Sequence, residues 1–266
     1  MTLSMNQVAV QLYTLRSAFS TRDDVLDTLT RVRQMGYENV QFFTMPLPVH
    51  EMREILDDLG LGVCGVDVAP SRLTRELDAV VDEMATLGCE YITYSFEGTD
   101  RRRFGGELGE FTATLNDIGE RLKATECSFA YHNHSFELVR YGRWSALHEF
   151  YERTAAAGIQ AEIDTYWIQH GGGDPAEWIR ELAGRIPIVH LKDMAIGPDL
   201  EQHFAELGEG NMNWASILAA ADEVGVEWLV VEQDTCQGDP FESVATSYAY
   251  LAAALDPSKA SEAVQA

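Results

Sequence analysis

The sequence predicts one α/β domain, a single (β/α)8 TIM barrel, on three observations. Short apolar runs alternate with amphipathic stretches along the whole chain, which is the pattern of a parallel sheet with right-handed crossovers. There are eight of each. The length of 266 residues matches the roughly 250 typical of a closed eight-stranded barrel. A doubly wound open sheet would alternate in the same way; count and length favour closure.

The strand-like runs fall near Val8–Tyr13, Val40–Phe43, Leu61–Val68, Tyr91–Phe96, Ser128–His132, Ile159–Ile163, Ile186–His190 and Trp228–Glu232. Helical spacing follows them. It is clearest in Val25, Leu26, Leu29 and Val32, in Leu77, Val80, Val81 and Met84, in Leu115, Ile118 and Leu122, and in Ile217, Leu218, Ala221 and Val224. Ser20 or Thr21 ahead of Asp23-Asp24 marks a helix start. Gly36 marks its end, and Gly60, Gly88, Gly158, Gly184 and Gly225 take similar places before later strands. No linker divides the chain, so residues 1–255 read as the barrel and 256–266 as a loose tail.

Composition narrows the function classes. The formal charge is −24, and phosphate backbones favour basic surfaces, so nucleic acid is not the expected partner. An anionic field attracts cations, metals included, although solubility accounts for most of such a charge. Apolar runs of about 18 residues are lacking, so no membrane span is expected. The first residues carry no basic region followed by an apolar stretch. Cys64, Cys89, Cys127 and Cys236 show no CxxC spacing and read as reduced thiols of a cytoplasmic protein.

Four segments end an apolar run on a potential metal ligand: Phe129-Ala-Tyr-His-Asn-His134, Ala161-Glu-Ile-Asp164, Ile188-Val-His-Leu-Lys-Asp193 and Leu229-Val-Val-Glu-Gln-Asp234. In a parallel barrel the C-terminal strand ends meet on one rim, where active sites sit. Ligands from four successive strands, His132, Asp164, His190 and Glu232, would therefore converge on one divalent metal. No segment is persuasive alone. His190 could be an ordinary core histidine, and Glu232 could pair with an arginine. Side chains two apart on a strand share a face, so His134 would stand beside His132, free for proton transfer. By the same rule Glu162 shares a face with Asp164, as a backup ligand or as part of an inner layer.

A buried lysine or carboxylate is costly unless paired. Lys192 is expected to meet a substrate oxygen, with Asp193 as its partner, and Gln233 and Asp234 to orient Glu232. Tyr166 and Trp167 suit the wall of a sugar pocket, or ordinary core packing. Gln11, Tyr13, Gln41, Asp67, Glu137 and Glu209 complete the rim candidates. Gly208-Glu-Gly-Asn-Met-Asn-Trp214 lacks a nearby Lys or Arg and reads as a turn into a helix from Asn213, with Glu209 reaching substrate. His50, His148, His170 and His203 have no nameable partner; His170 lies nearest the rim.

Taken together, Gln11-Leu-Tyr-Thr-Leu-Arg16, Tyr131-His-Asn-His-Ser-Phe-Glu137, Asp164-Thr-Tyr-Trp167, His190-Leu-Lys-Asp193, Gly208-Glu-Gly-Asn-Met-Asn-Trp214 and Glu232-Gln-Asp234 resemble the xylose isomerase-like barrel superfamily. The likeness is to its sugar phosphate isomerase/epimerase and inosose dehydratase-like branch, over roughly residues 7–255. In that superfamily a Glu, an Asp, a His and a Glu on strands five to eight bind one divalent metal, often manganese. The resemblance assigns Asp164, His190 and Glu232 to the last three positions. His132 stands where the first Glu is expected, a departure from a mechanism that uses two glutamates as acid and base. His134 falls where some relatives acting on 3-keto sugars place a catalytic histidine. Gln41 replaces a common glutamate and Asp67 a common histidine, which argues against a three-metal DNA-repair site.

The implied enzyme is a metal-dependent isomerase or epimerase of a keto sugar or inosose. It would take a proton beside a carbonyl, with catalytic His134, Lys192 and Glu232 around an enediolate. The implied substrate contacts are Gln11, Tyr13, Glu137, Trp167, Asp193, Glu209 and Asp234. A nitrogen-and-carboxylate ligand set suits Mn²⁺ first, then Co²⁺, Fe²⁺ or Zn²⁺, with Mg²⁺ as a further candidate. Loss of a β-substituent would instead make a dehydratase or lyase, and loss of catalysis a carbohydrate-binding barrel. No basic phosphate pocket is evident, which favours a neutral carbohydrate or cyclitol. Relatives are often dimers or tetramers, so a homo-oligomer stays open.

Overall fold

The computed structural model describes residues 3–95 and 104–256. Its sheet closes. The barrel strands are β1 (Val8–Gln11), β2 (Asn39–Phe42), β3 (Gly62–Asp67), β4 (Tyr91–Ser95), β5 (Ser128–His132), β6 (Gln160–Asp164), β7 (Ile188–Leu191) and β8 (Trp228–Val231). They run around the barrel in chain order, and β8 pairs back with β1. Every neighbouring barrel pair is parallel. The expected runs are right in place; Ser128–His132 matches at both ends and no other end is off by more than two residues. Phe96 and most of the expected tail lie outside the described residues.

Local chemistry sets the helix ends. Thr21 accepts from the Asp24 N–H, and the Asp24 carboxylate accepts from the Thr21 N–H, so α1 (Arg22–Met35) opens on a capping box. Asn213 caps α2 (Trp214–Val224) through the Ser216 N–H, which is the helix expected after the glycine-rich turn. Gly36, Gly60, Gly88, Gly158 and Gly225 close their helices in the left-handed conformation. Two antiparallel hairpins interrupt the strict alternation: Arg140–Tyr141 with Trp144–Ser145, and Asp193–Ile196 with Gln202–Ala205. Strands this short carry no readable period.

The core has two parts. The larger one fills the space between sheet and helices, with Val10, Val40, Phe129, Ile163, Val189, Leu191 and Leu229 facing outward. The smaller one, Ala9, Cys64, Tyr91, Ile188 and Val230, plugs the lower barrel. Strand alternation then turns the residues two further along toward the barrel axis. Tyr91 is followed by Thr93, Ile188 by His190 and Val230 by Glu232. A polar layer of Gln41, Thr93 and Glu162, all buried, lies above the apolar plug. Gly65 makes room for it: a Cβ there would stand 3.0 Å from Gln41 Nε2. All four cysteines are free.

Candidate active site

Glu162 is the hub of the polar layer. It has no exposed surface, and its carboxylate accepts from Gln41 Nε2 at 3.0 Å. It also meets both strand-end histidines, at 3.0 Å from His132 Nδ1 and 2.6 Å from His190 Nε2. Gln41 Oε1 lies 2.6 Å from the same His190 nitrogen. A carboxylate bonded to the inner nitrogen of an imidazole fixes the ring and leaves the outer nitrogen as the ligand. Glu162 holds both histidines in this way. Burial opposes its charge, yet His190 and His132 outweigh that and bring its pKa down to about 2.

The outer nitrogens face the rim carboxylates. His132 Nε2 is 3.5 Å from Asp164 Oδ2, and His190 Nδ1 is 2.7 Å from Glu232 Oε2. Burial also opposes the charge on His190, but Glu162 and Glu232 raise its pKa to about 10. Burial pushes the Glu232 carboxyl up; Lys192 and His190 prevail and hold it well below the usual range.

One ligand atom each from His132, Asp164 and His190 lie within 4.8 Å of one another. The donor set of two imidazoles and a carboxylate fits a transition metal. Asp164 Oδ1 is committed to the Trp167 N–H at 2.9 Å, whereas the buried Oδ2 accepts no well-directed hydrogen bond among the described residues. The residues present thus suit a divalent cation. Glu232, the fourth expected ligand, stands beside this trio with Oε2 on His190 and Lys192.

Lys192 is one of the largest fully buried side chains. Its Nζ lies 2.6 Å from Asp234, 2.8 Å from Glu232 and 3.0 Å from Asp164. Burial disfavours the ammonium, and the three carboxylates more than restore it, raising the pKa. Asp193 is not its partner. That carboxylate, fully buried, points the other way and accepts from the N–H groups of Met194, Gly208, Gly210 and Met212 and from Trp214 Nε1. It ties down the loop before α2. A Cβ on Gly210 would collide with its Oδ1 at 2.2 Å, which is why the loop is glycine there. The aspartate parity explains the split: positions 190 and 192 face the barrel axis and 193 does not.

A cavity of about 590 Å³ opens over these groups, lined by Tyr13, Phe43, Asp67, Ser95, His132, His134, Trp167, His190, Lys192, Glu232 and Asp234. The predicted His134 is here, its ring 5.3 Å from His132, stacked on Phe136 and tilted against Trp167. Trp167 Nε1 has no acceptor among the described residues. Tyr13 lies under the Arg16 guanidinium, 4.0 Å from the ring centre. Asp67 is bonded to Thr93, and burial with Glu162 nearby pushes its carboxyl up to about 6.

Three other expected contacts are not in the lining. Gln11 is buried and accepts from the Tyr13 N–H. Glu137 is buried beneath the mouth, taking the Tyr131 hydroxyl at 2.8 Å and the His134 N–H at 3.0 Å. Glu209 is exposed at the turn. Two lining residues were not foreseen, Phe43 and Ser95. The alternation Tyr91, Thr93, Ser95 on β4 carried the signal for the second.

Comparison with known proteins agrees with the barrel fold. A model of the xylose isomerase-like TIM barrel family matches residues 29–254. The chain belongs to that family. An L-ribulose 3-epimerase of Mesorhizobium japonicum is 23% identical over 239 residues, 79% of this chain and 75% of that protein. A sugar phosphate isomerase/epimerase structure from Parabacteroides distasonis superposes with a TM-score of 0.77 at 22% identity, covering 95% of this chain and 96% of that one. A 3-keto-D-glucoside 4-epimerase from E. coli superposes at 0.69 and 13% identity, covering 92% and 98%. These three relatives are sugar isomerases or epimerases by description, and a probable 3-DHS dehydratase from Bacillus anthracis superposes at 0.72 and 12% identity, covering 92% and 98%. Among the described residues no helix is long and apolar enough to cross a membrane.

Proposed function

We propose that this family member is a divalent-metal-dependent isomerase or epimerase of a keto sugar or inosose. The observation that carries the reading is the convergence of His132, Asp164 and His190 under an open cavity, with Glu162 holding both rings from behind. Glu232 completes the ligand set. When bound, a metal of the Mn²⁺ type polarises a substrate carbonyl and favours loss of the neighbouring proton.

The chain's own groups supply the rest. His134 stands in the cavity beside the ligands, and its imidazole takes and returns the proton. Glu137 holds the His134 backbone from below. Trp167 and Tyr13 wall the sugar, with the Trp167 indole N–H offered to a hydroxyl. Asp234 and Lys192 meet the substrate's polar edge. Among the described residues the one lysine or arginine that lines the cavity is Lys192, already held by three carboxylates, which supports a substrate without phosphate. Elimination is the competing outcome, favoured by His132: strand five gives an imidazole where a two-glutamate proton relay needs a carboxylate.

The test joins metal analysis to isotope exchange. Purified protein should carry about one transition metal per chain, lost in Asp164→Ala and Glu232→Ala, and should wash deuterium from D₂O into a bound keto sugar. A product absorbing in the ultraviolet as an enone would assign elimination instead. Metal-free protein that takes up neither Mn²⁺ nor Co²⁺ and exchanges no proton would leave a carbohydrate-binding barrel.

A further inference from the structure

The two carboxylate oxygens turned toward the histidines are the same two that hold Lys192. Asp164 Oδ2 is 3.5 Å from His132 Nε2 and 3.0 Å from Lys192 Nζ. Glu232 Oε2 is 2.7 Å from His190 Nδ1 and 2.8 Å from Lys192 Nζ. A cation bound by these donors needs them at about 2.0–2.2 Å. An ammonium kept on both oxygens would then press against a dication across a few ångströms of low-dielectric interior, where repulsion is strong. The two cations cannot share the site. The third carboxylate offers a way out. Asp234 is the shortest of the three contacts at 2.6 Å, and its side chain is 26% exposed to the cavity while those of Asp164 and Glu232 are 0% and 6%.

We infer that Lys192 is a built-in cation that competes with the metal for Asp164 and Glu232 and withdraws to Asp234 when the metal binds. This inference rests on the metal-dependent reading above and adds to it. In the metal-free protein the lysine neutralises buried carboxylates that the neighbouring histidines alone balance only in part, which would otherwise be a costly arrangement. In the loaded protein the same ammonium stands beside Asp234 at the cavity wall, where a substrate oxygen arrives. The lysine thereby keeps the empty site folded and lowers its affinity for metal.

The experiment is a titration of metal-free protein with Mn²⁺ at one fixed pH by isothermal calorimetry, on the wild type, Lys192→Met, Asp234→Asn and the double variant. Lys192→Met should bind Mn²⁺ at least about tenfold more tightly than the wild type. Asp234→Asn should bind more weakly, because the ammonium loses its retreat. In the double variant the Asp234→Asn penalty should largely vanish, since no ammonium remains to be rehoused. A general loss of negative field would weaken both backgrounds equally, so the coupling between the two positions is the decisive quantity. A folded Lys192→Met that binds Mn²⁺ no more tightly than wild type overturns the inference while leaving the metal site intact. If Lys192→Met does not fold, a crystal structure of the Mn²⁺-loaded wild type decides. Nζ on Asp234 and off both ligand oxygens supports the displacement; Nζ still bonded to Asp164 and Glu232 beside the metal refutes it. Absence of Mn²⁺ binding in every folded variant removes the metal-dependent reading and this inference with it.

Discussion

Glu137 has no exposed surface and yet bears a carboxyl. Burial raises its pKa from an ordinary 4.5 to about 7, against the opposing pull of the Tyr131 hydroxyl and nearby N–H groups. A raised pKa in the fold means that the folded chain binds the proton more tightly than the unfolded one. The resulting stability is fully present below about pH 4.5 and is lost as pH rises through 7. That loss amounts to roughly 3 kcal/mol for a shift of this size. Glu137→Gln cannot ionise. Its stability relative to wild type should therefore climb between pH 5 and 8, as read by urea denaturation at several pH values. A flat difference would mean that Glu137 stays charged in the fold. The histidines show how residue-level reading succeeds and stops. His132, Asp164 and His190 were recognisable as candidate ligands because each ends an apolar run. Glu162 was recognisable only as sharing the Asp164 face; that it grips both rings at once required β5, β6 and β7 side by side.

At the scale of elements, the segment between β7 and α2 carries the sharpest lesson. Its sequence reads as a glycine-rich turn with Glu209 reaching substrate. In the fold the turn is organised from within by Asp193, which takes three loop N–H groups and the Trp214 indole. Asp193→Ala would leave several buried donors without an acceptor, at about 1–3 kcal/mol each. It should destabilise the protein by about 3 kcal/mol or more in denaturant unfolding and expose the 206–213 turn to limited proteolysis. Glu209→Ala, at an exposed position, should change stability by no more than about 0.5 kcal/mol. An equal effect of the two substitutions would contradict this division of labour. The hairpin Asp193–Ile196 with Gln202–Ala205 also brings Phe204 against Tyr166, ring centres 4.0 Å apart. It thereby supports the wall of the mouth, next to Trp167, from a part of the chain with no readable strand period.

For the molecule as a whole, the excess of negative charge and the buried donor cluster point to the same dependence. A ligand that binds only the folded chain stabilises it by mass action, about 2.7 kcal/mol at one hundred times its dissociation constant. For a chain of this size that is roughly 5–10 °C in Tm. Mn²⁺ should raise Tm by this order in wild type and not in His190→Ala or Asp164→Ala, measured in buffer with enough monovalent salt to screen surface charge. An equal rise in all three proteins would trace the effect to the anionic surface and not to the site.

The sequence by itself determined the barrel and the rim. Eight apolar runs with helical spacing between them admit few architectures, and in a parallel barrel the strand ends have to meet at one mouth. It determined the histidine and carboxylate candidates for the same reason, because a polar group ending a buried strand needs a partner. Only the tertiary structure decided which partner. Lys192 and Asp193 are adjacent in the chain, but a strand sends neighbours to opposite faces. One enters the carboxylates of β6 and β8, and the other anchors a loop. Such pairings join residues 15 to 42 positions apart, and local sequence carries no record of distances across a closed barrel.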